Sequence, residues 1–238
     1  SNQLLRYIDW ELIRNHPKVF CGYSDITALN NAIYAKMGLV SYSGPCYSTF
    51  AEKKNFEYTL EYFKKCIFFD EPFEVKPSEI WSDDSWYRDQ EHRNLIRNEG
   101  CLVINEGSAE GTLLGGNLCT LNLLQGTEYM PSLENSILFL EDDETSKIVD
   151  FDRNLQSLIH LSDFGGVKSI VMGRFQKASE ATNELIIKMI RTKREFVHIP
   201  VIANVDFGHT QSIITFPVGG TVKIEVKDAT AKIKVVKH

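Results

Sequence analysis

Residues 18–45 read KVFCGYSDITALNNAIYAKMGLVSYSGP, and this stretch decides the fold. Lys18 to Gly22 has the apolar character of a short buried strand, and Tyr23-Ser24-Asp25 forms a turn. Ile26, Leu29, Ile33 and Met37 recur at helical spacing, which predicts a helix from Ile26 to Met37 with Gly38 as its stop. Leu39 to Ser43 returns to strand character, and Gly44-Pro45 closes it. Strand, helix and strand in that order predict a parallel α/β unit.

Upstream, Leu4, Leu5, Ile8, Leu12 and Ile13 predict one helix over residues 2–15, ended by Pro17. Downstream, a helix is expected from about Phe56 to Cys66. The stretch DEPFEVKPSE (70–79) then reads as a linker. A boundary near residue 75 divides the chain into 1–75 and 76–238. Beyond it, strands are expected at 101–104, 107–114, 136–141, 167–172 and 200–205, and helices at 118–124, 148–161 and 180–194. Gly115-Gly116-Asn117-Leu118 reads as a turn into a helix. Thr221 to Val236 alternates as two strands around Asp228-Ala229.

The 238 residues, 43% hydrophobic and 24% charged, suit a globular chain of one to two domains whose core needs no disulfide or metal. Lys and Arg number 26 against 32 Asp and Glu, a net charge of −6, which argues against a nucleic-acid polymer as partner. No apolar run approaches the ~20 residues that span a bilayer, so no membrane partner is expected. The opening SNQLLRYIDWELIRN is too polar for a signal peptide. The five cysteines are widely spaced with no C-x-x-C pair, which predicts no metal site, no disulfide framework and a reducing, cytoplasmic setting.

Three segments carry chemistry. Gly22-Tyr23-Ser24-Asp25 sits between a strand and a helix, where a serine hydroxyl is exposed on a sharp turn and the next amide points at the helix N-terminus. Ile26 stands where a hydrolase elbow has its last glycine, and Ser24 or Asp25 also reads as a plain helix cap. Phe139-Leu140-Glu141-Asp142-Asp143-Glu144 places four acids at the end of an apolar strand. One could orient a histidine; capping, a solvated loop or a divalent cation are the alternatives. Asp206-Phe207-Gly208-His209-Thr210 places a histidine at another strand end, where it could act as a base or stand as a surface residue. Ser24, Glu141 and His209 together make a nucleophile, an orienting acid and a base, the minimum set for acyl transfer by serine.

The stretches VFCGYSDITALNNAIYAKMGLVSYSGP, GTLLGGNLCTLNLLQGTEYMP, ILFLEDDE and IPVIANVDFGHTQSIITFPVGG resemble the serine peptidase family of LD-carboxypeptidases and microcin C self-immunity proteins, over essentially the whole chain. The resemblance implies Ser24 as nucleophile, Glu141 as orienting carboxylate and His209 as base. It implies an oxyanion hole using the Asp25 amide and a glycine amide further upstream. The fold it implies is α/β: a partial flavodoxin-like N-terminal domain carrying the serine, and a swivelling β/β/α C-terminal domain carrying the glutamate and histidine. It also implies a homodimer and no cofactor. Family chains have a further small α/β segment before Leu4, outside these residues. A chain that is inactive without that segment and serves as a binding domain is the rival expectation. Trp81-Ser82-Asp83-Asp84-Ser85-Trp86 is similar to a tryptophan-bearing loop of the microcin-immunity branch, with Trp86 expected to stack on a nucleobase and Trp81 to pack. Asn117 is expected to donate to substrate, and Gln176 to lie near the substrate's charged end. The substrate expected is a small peptide-like or nucleotide-peptide amide of the microcin C type, or the L,D-amide of a murein tetrapeptide.

Overall fold

The apolar run Ser136–Glu141 is a strand buried at every position, Ile137 to Leu140 being wholly inaccessible to solvent. Continuous rather than alternating apolarity marks a strand covered on both faces, as in a parallel sheet with helices above and below. The computed structural model describes residues 1–238 and places that strand near the middle of an eight-stranded mixed sheet.

In chain order the elements are α1 (Trp10–Asn15), α2 (Thr27–Met37), β1 (Ser41–Ser43), α3 (Glu57–Ile67), β2 (Phe73–Val75), β3 (Ile80–Trp81), β4 (Ile96–Arg97), β5 (Leu102–Asn105) and β6 (Gly107–Asn117). There follow α4 (Leu118–Asn122), β7 (Ser136–Glu141), α5 (Ile148–Ile159), β8 (Ser169–Gly173), α6 (Asn183–Arg191), β9 (Val201–Val205), β10 (Phe216–Val218), β11 (Thr221–Lys227) and β12 (Thr230–Lys237). The sheet order is β2-β12-β11-β6-β7-β8-β9-β5. Strands β6 to β9 are parallel, with α4, α5 and α6 between them, while the hairpin β11-β12, β2 and β5 run antiparallel. The expected α/β class is the observed one. No helix is long and apolar enough to cross a membrane.

The opening unit is slighter than its pattern predicts. Residues 2–15 form not one helix but a 3-10 turn, Asn2–Tyr7, and then α1. The break lies at Asp9, whose extended backbone lets its carboxylate accept from the Leu12 amide at 2.9 Å as an N-cap. The strand expected at Lys18–Gly22 reduces to a parallel bridge between Cys21 and Tyr42, and Val19 is exposed. Residues 115–117, expected as a turn, continue β6 instead, paired with Phe139–Glu141 of β7. Residue 75 ends β2, which pairs with β12 in the large sheet.

Helix α2 ends as its sequence predicts. Gly38 adopts φ +67°, and its amide donates to the Tyr34 carbonyl at 2.8 Å. A Cβ there would meet nothing, so only backbone strain opposes a side chain. Gly38→Ala is therefore expected to lower unfolding free energy by about 1 kcal/mol, read from urea denaturation. An unchanged midpoint would refute it.

Strand β10 follows the large sheet's last parallel strand in sequence, yet it pairs antiparallel with β1: Ser41 faces Val218 and Ser43 faces Phe216. The segment between β9 and β10 thus travels from the large sheet to the N-terminal unit.

Candidate active site

The parallel strands end on one edge, and the candidate residues gather there. Glu141 is the last residue of β7, His209 lies four residues past β9, and Ser24 lies in the turn entering α2. Grouping polar side chains at the carboxyl ends of parallel strands is the general habit of α/β sheets.

Ser24 adopts φ +59°, a left-handed conformation that a non-glycine residue holds only when its surroundings enforce it. Asn30 enforces it from one side. Its buried amide donates to the carbonyls of Gly22, at 3.0 Å, and Tyr42, at 3.2 Å, tying the two backbone segments beside the turn. Asn31 acts on the other side, donating to the Gly115 carbonyl at 2.9 Å while its Oδ1 accepts from the Gly115 amide at 3.2 Å. Thr27 Oγ1 accepts from the Asn117 amide at 2.9 Å. These bonds dock α2 against β6, the neighbour of β7.

The resulting geometry is continuous. Ser24 Oγ lies 3.0 Å from His209 Nε2, and His209 Nδ1 lies 2.7 Å from Glu141 Oε2. With Nδ1 donating to the carboxylate, Nε2 faces the serine as an acceptor. Burial alone would lower the His209 imidazolium. The Glu141 charge, its hydrogen bond, and the charges of Asp143 and Asp142 outweigh burial and hold the pKa above the ordinary value. Gly208 makes the approach possible. It has φ +106°, and a Cβ would stand 2.8 Å from Glu141 Oε2. Asp25 follows Ser24 in the same turn, and its amide has no backbone acceptor there.

His209 also lines a cavity of about 430 Å³. Trp86 and Gln176 line it too, together with Tyr23, whose ring centre lies 5.5 Å from that of His209. Burial first, then the Cys46 and Glu141 charges, push the Tyr23 phenol up to about 12, so it stays a neutral hydroxyl. Trp81 lies outside this cavity and packs its ring 4.9 Å from the Arg174 guanidinium. Asn117 does not line the cavity: its Oδ1 caps α4 on the Thr120 amide at 2.9 Å, and its Nδ2 donates to Asp142 at 3.0 Å. No cluster of His, Cys, Asp and Glu is arranged to hold a metal ion.

The sequence reading missed a buried polar knot behind the histidine. Asp206 accepts from the Ser78 amide at 2.8 Å, from Asn98 at 3.0 Å and from Arg174 at 3.1 Å. Arg174 also donates to Asn98 Oδ1 at 2.8 Å and to the Asn204 carbonyl at 3.0 Å. The Gln211 amide donates to the Ser82 carbonyl at 2.9 Å. The 78–98 segment, which bears Trp86, is thereby fastened to the loop that bears His209. Arg93 fastens its far end by a buried ion pair to Glu52.

Comparison with known proteins assigns residues 1–44 to the LD-carboxypeptidase N-terminal domain and residues 110–224 to the LD-carboxypeptidase C-terminal domain. The chain is 60% identical over 238 residues to the Bacillus subtilis (strain 168) protein named "Putative carboxypeptidase YocD", covering 100% of this chain and 73% of that protein. The crystal structure of an MccF-like protein from Bacillus anthracis strain Ames matches with TM-score 0.98 at 55% identity, over 100% of this chain and 73% of that one. Microcin C7 self-immunity protein MccF in complex with aspartyl sulfamoyl adenosine matches with TM-score 0.86 at 30% identity, again over 100% and 73%.

Proposed function

Because the chain belongs to the LD-carboxypeptidase family, we propose that the hydrogen-bonded line of Ser24, His209 and Glu141 serves serine-type hydrolysis of an amide in a small peptide-like substrate. That line is the observation that carries the reading. His209 takes the Ser24 hydroxyl proton at Nε2 while Oγ attacks the amide carbonyl. The tetrahedral oxyanion is held by backbone amides, among them that of Asp25. His209 then returns the proton to the leaving amine, and an acyl-enzyme remains. Water, deprotonated by His209, releases it. Glu141 holds the imidazole in one tautomer and stabilises its cation. In this reading residues 1–75 supply the nucleophile and 76–238 the acid and base.

For the substrate we favour an aminoacyl- or peptidyl-nucleotide of the microcin C type. The support is Trp86 in the wall of the His209 cavity and the aspartyl sulfamoyl adenosine bound by the related MccF. The second reading, the L,D-amide of a murein tetrapeptide, has the family's carboxypeptidase description in its favour. Incubating the protein with aspartyl sulfamoyl adenosine and, separately, a murein tetrapeptide decides between them, with Ser24→Ala as control. Serine-dependent release of the amino acid from the first supports the nucleotide reading. Cleavage of the tetrapeptide alone replaces it, and cleavage of neither removes both.

The pH profile tests the base. Only neutral His209 accepts the serine proton, so kcat/KM is expected to rise with pH, with its inflection above the ordinary histidine value of 6.5. Stability runs the other way. The raised folded-state pKa stabilises the fold fully below the unfolded value, and that contribution disappears as pH rises through the folded value. Glu141→Gln is expected to move the inflection downward. An inflection below 6.5 in the unaltered protein would count against His209 as base.

A further inference from the structure

Gln176 borders both the triad cavity and a second one, of about 640 Å³. Arg174 lines the second and not the first, with its side chain only 9% exposed. A guanidinium carries five N–H donors. The bonds that Arg174 makes, to Asn98 Oδ1, the Asn204 carbonyl and Asp206, all leave from Nη2. Nε is buried with no acceptor. Nη1 has none either, and unlike Nε it is not closed off from solvent. A buried charged group normally spends its donors, because each one left idle is costly. The knot with Asp206 therefore accounts for one nitrogen of Arg174 and leaves Nη1 unspent beside an open cavity.

The charges around that nitrogen are not balanced. Arg97 and Lys177 line the same cavity, and neither has an ion-pair partner. Of the two carboxylates there, Glu180 is paired with Lys147 at 3.0 Å, which leaves Glu99 alone in opposition. A chain of net charge −6 thus keeps a surplus of positive charge here. Trp81 gathers it: its ring centre lies 4.9 Å from the Arg174 guanidinium and 5.7 Å from Lys177 Nζ. Helix α6 adds to the same sign. Thr182 caps it, and both Thr182 and Asn183 line the cavity, so the helix's positive end opens there.

We infer that this second cavity binds a small molecule through a phosphate or carboxylate group, which accepts from Arg174 Nη1 and is neutralised by Lys177 and Arg97. The site is distinct from the triad cavity, and the inference does not depend on the hydrolase reading. An oxyanion is the group that fits: it accepts from several N–H donors at once, and it carries the sign that such walls concentrate. The cavity's volume is that of a small-molecule site, which leaves room for more of the ligand than its oxyanion.

Calorimetric titration of the unaltered chain with inorganic phosphate and, separately, with succinate tests this, and the tighter of the two names the group. At least one is expected to bind with Kd of about 1 mM or tighter. Arg97→Gln and Lys177→Gln should each weaken that binding about threefold, and the two together about tenfold. Arg174→Lys keeps a charge opposite Asp206 but removes the fork, and should also cost about tenfold. Its denaturant midpoint shows whether it folds; if it does not, the Arg97 and Lys177 variants, both at exposed positions, decide. His209→Gln, in the neighbouring cavity, should leave the affinity within about twofold. Weaker binding of both probes overturns the inference, and so does unchanged binding in the Arg97→Gln/Lys177→Gln protein. Loss of binding in His209→Gln also overturns it, because the anion would then sit at the triad. The hydrolase reading stands or falls separately, on serine-dependent cleavage.

Discussion

Ser24→Ala is expected to lower kcat/KM by about 10⁴-fold or more while leaving the unfolding midpoint nearly unchanged. In the proposed mechanism the serine proton leaves through the 3.0 Å contact to His209 Nε2, and alanine removes the nucleophile as well. His209→Ala should cost a similar factor, because the hydroxyl keeps its proton without an acceptor. The sharper result concerns the double variant. In the proposed mechanism each residue works only through the other, so removing both should cost little more than removing one. Single-turnover kinetics on the two single variants and the double one measure this. Multiplying losses would mean that serine and histidine act independently, and the proposed mechanism would fail.

The second large effect is on stability. Asp206→Ala is expected to destabilise the fold by about 3–5 kcal/mol, because it leaves Arg174 buried without its counter-charge. The two side chains are only 2% and 9% exposed. Burial pushes the Asp206 carboxyl upward, while Arg174 and the Ser78 amide pull it back. The deletion strips an acceptor from four donors at once: Ser78, Asn98, Arg174 and the Tyr58 hydroxyl. Asp206→Asn, which keeps an acceptor, should cost less, and Arg174→Met should restore part of the loss in Asp206→Ala. Denaturant midpoints of the four proteins decide it. If the double variant is less stable than Asp206→Ala alone, the buried charge is not the cause.

Periodicity made much of the framework legible. Ser136–Glu141, Val201–Val205 and the β11-β12 hairpin lie where apolar runs and alternation put them, because a strand's burial is written in its own residues. The helix from Thr27 to Met37 and its glycine stop were readable for the same reason. Single segments misled where the deciding partner was remote. Val19 looks like a buried strand residue, yet it is exposed and the stretch forms only the single bridge of Cys21 with Tyr42. Gly115 and Gly116 look like a turn, yet β7 runs beside them and keeps them extended. At the site, residue types at strand ends pointed to Ser24, Glu141 and His209, and the folded chain brings them within hydrogen-bonding distance. Asn30, Asn31 and the Asp206 knot were not readable. Asp206 meets Ser78 across 128 positions and Asn98 across 108, and no local pattern encodes such a meeting.

The stitch between β1 and β10 bears on when the protein becomes competent during synthesis. Ser24 is among the first residues translated of those described here, but the strand beside its turn is completed only by residues 216–218, and His209 arrives just before them. Strand β2 waits longer still, for residues 233–235. Pairings of such long range form late, after the intervening chain exists. A nascent chain therefore carries Ser24 for most of elongation without His209 to pair with it. The hydrogen-bonded line of Ser24, His209 and Glu141 cannot assemble until nearly all of these residues have emerged from the ribosome.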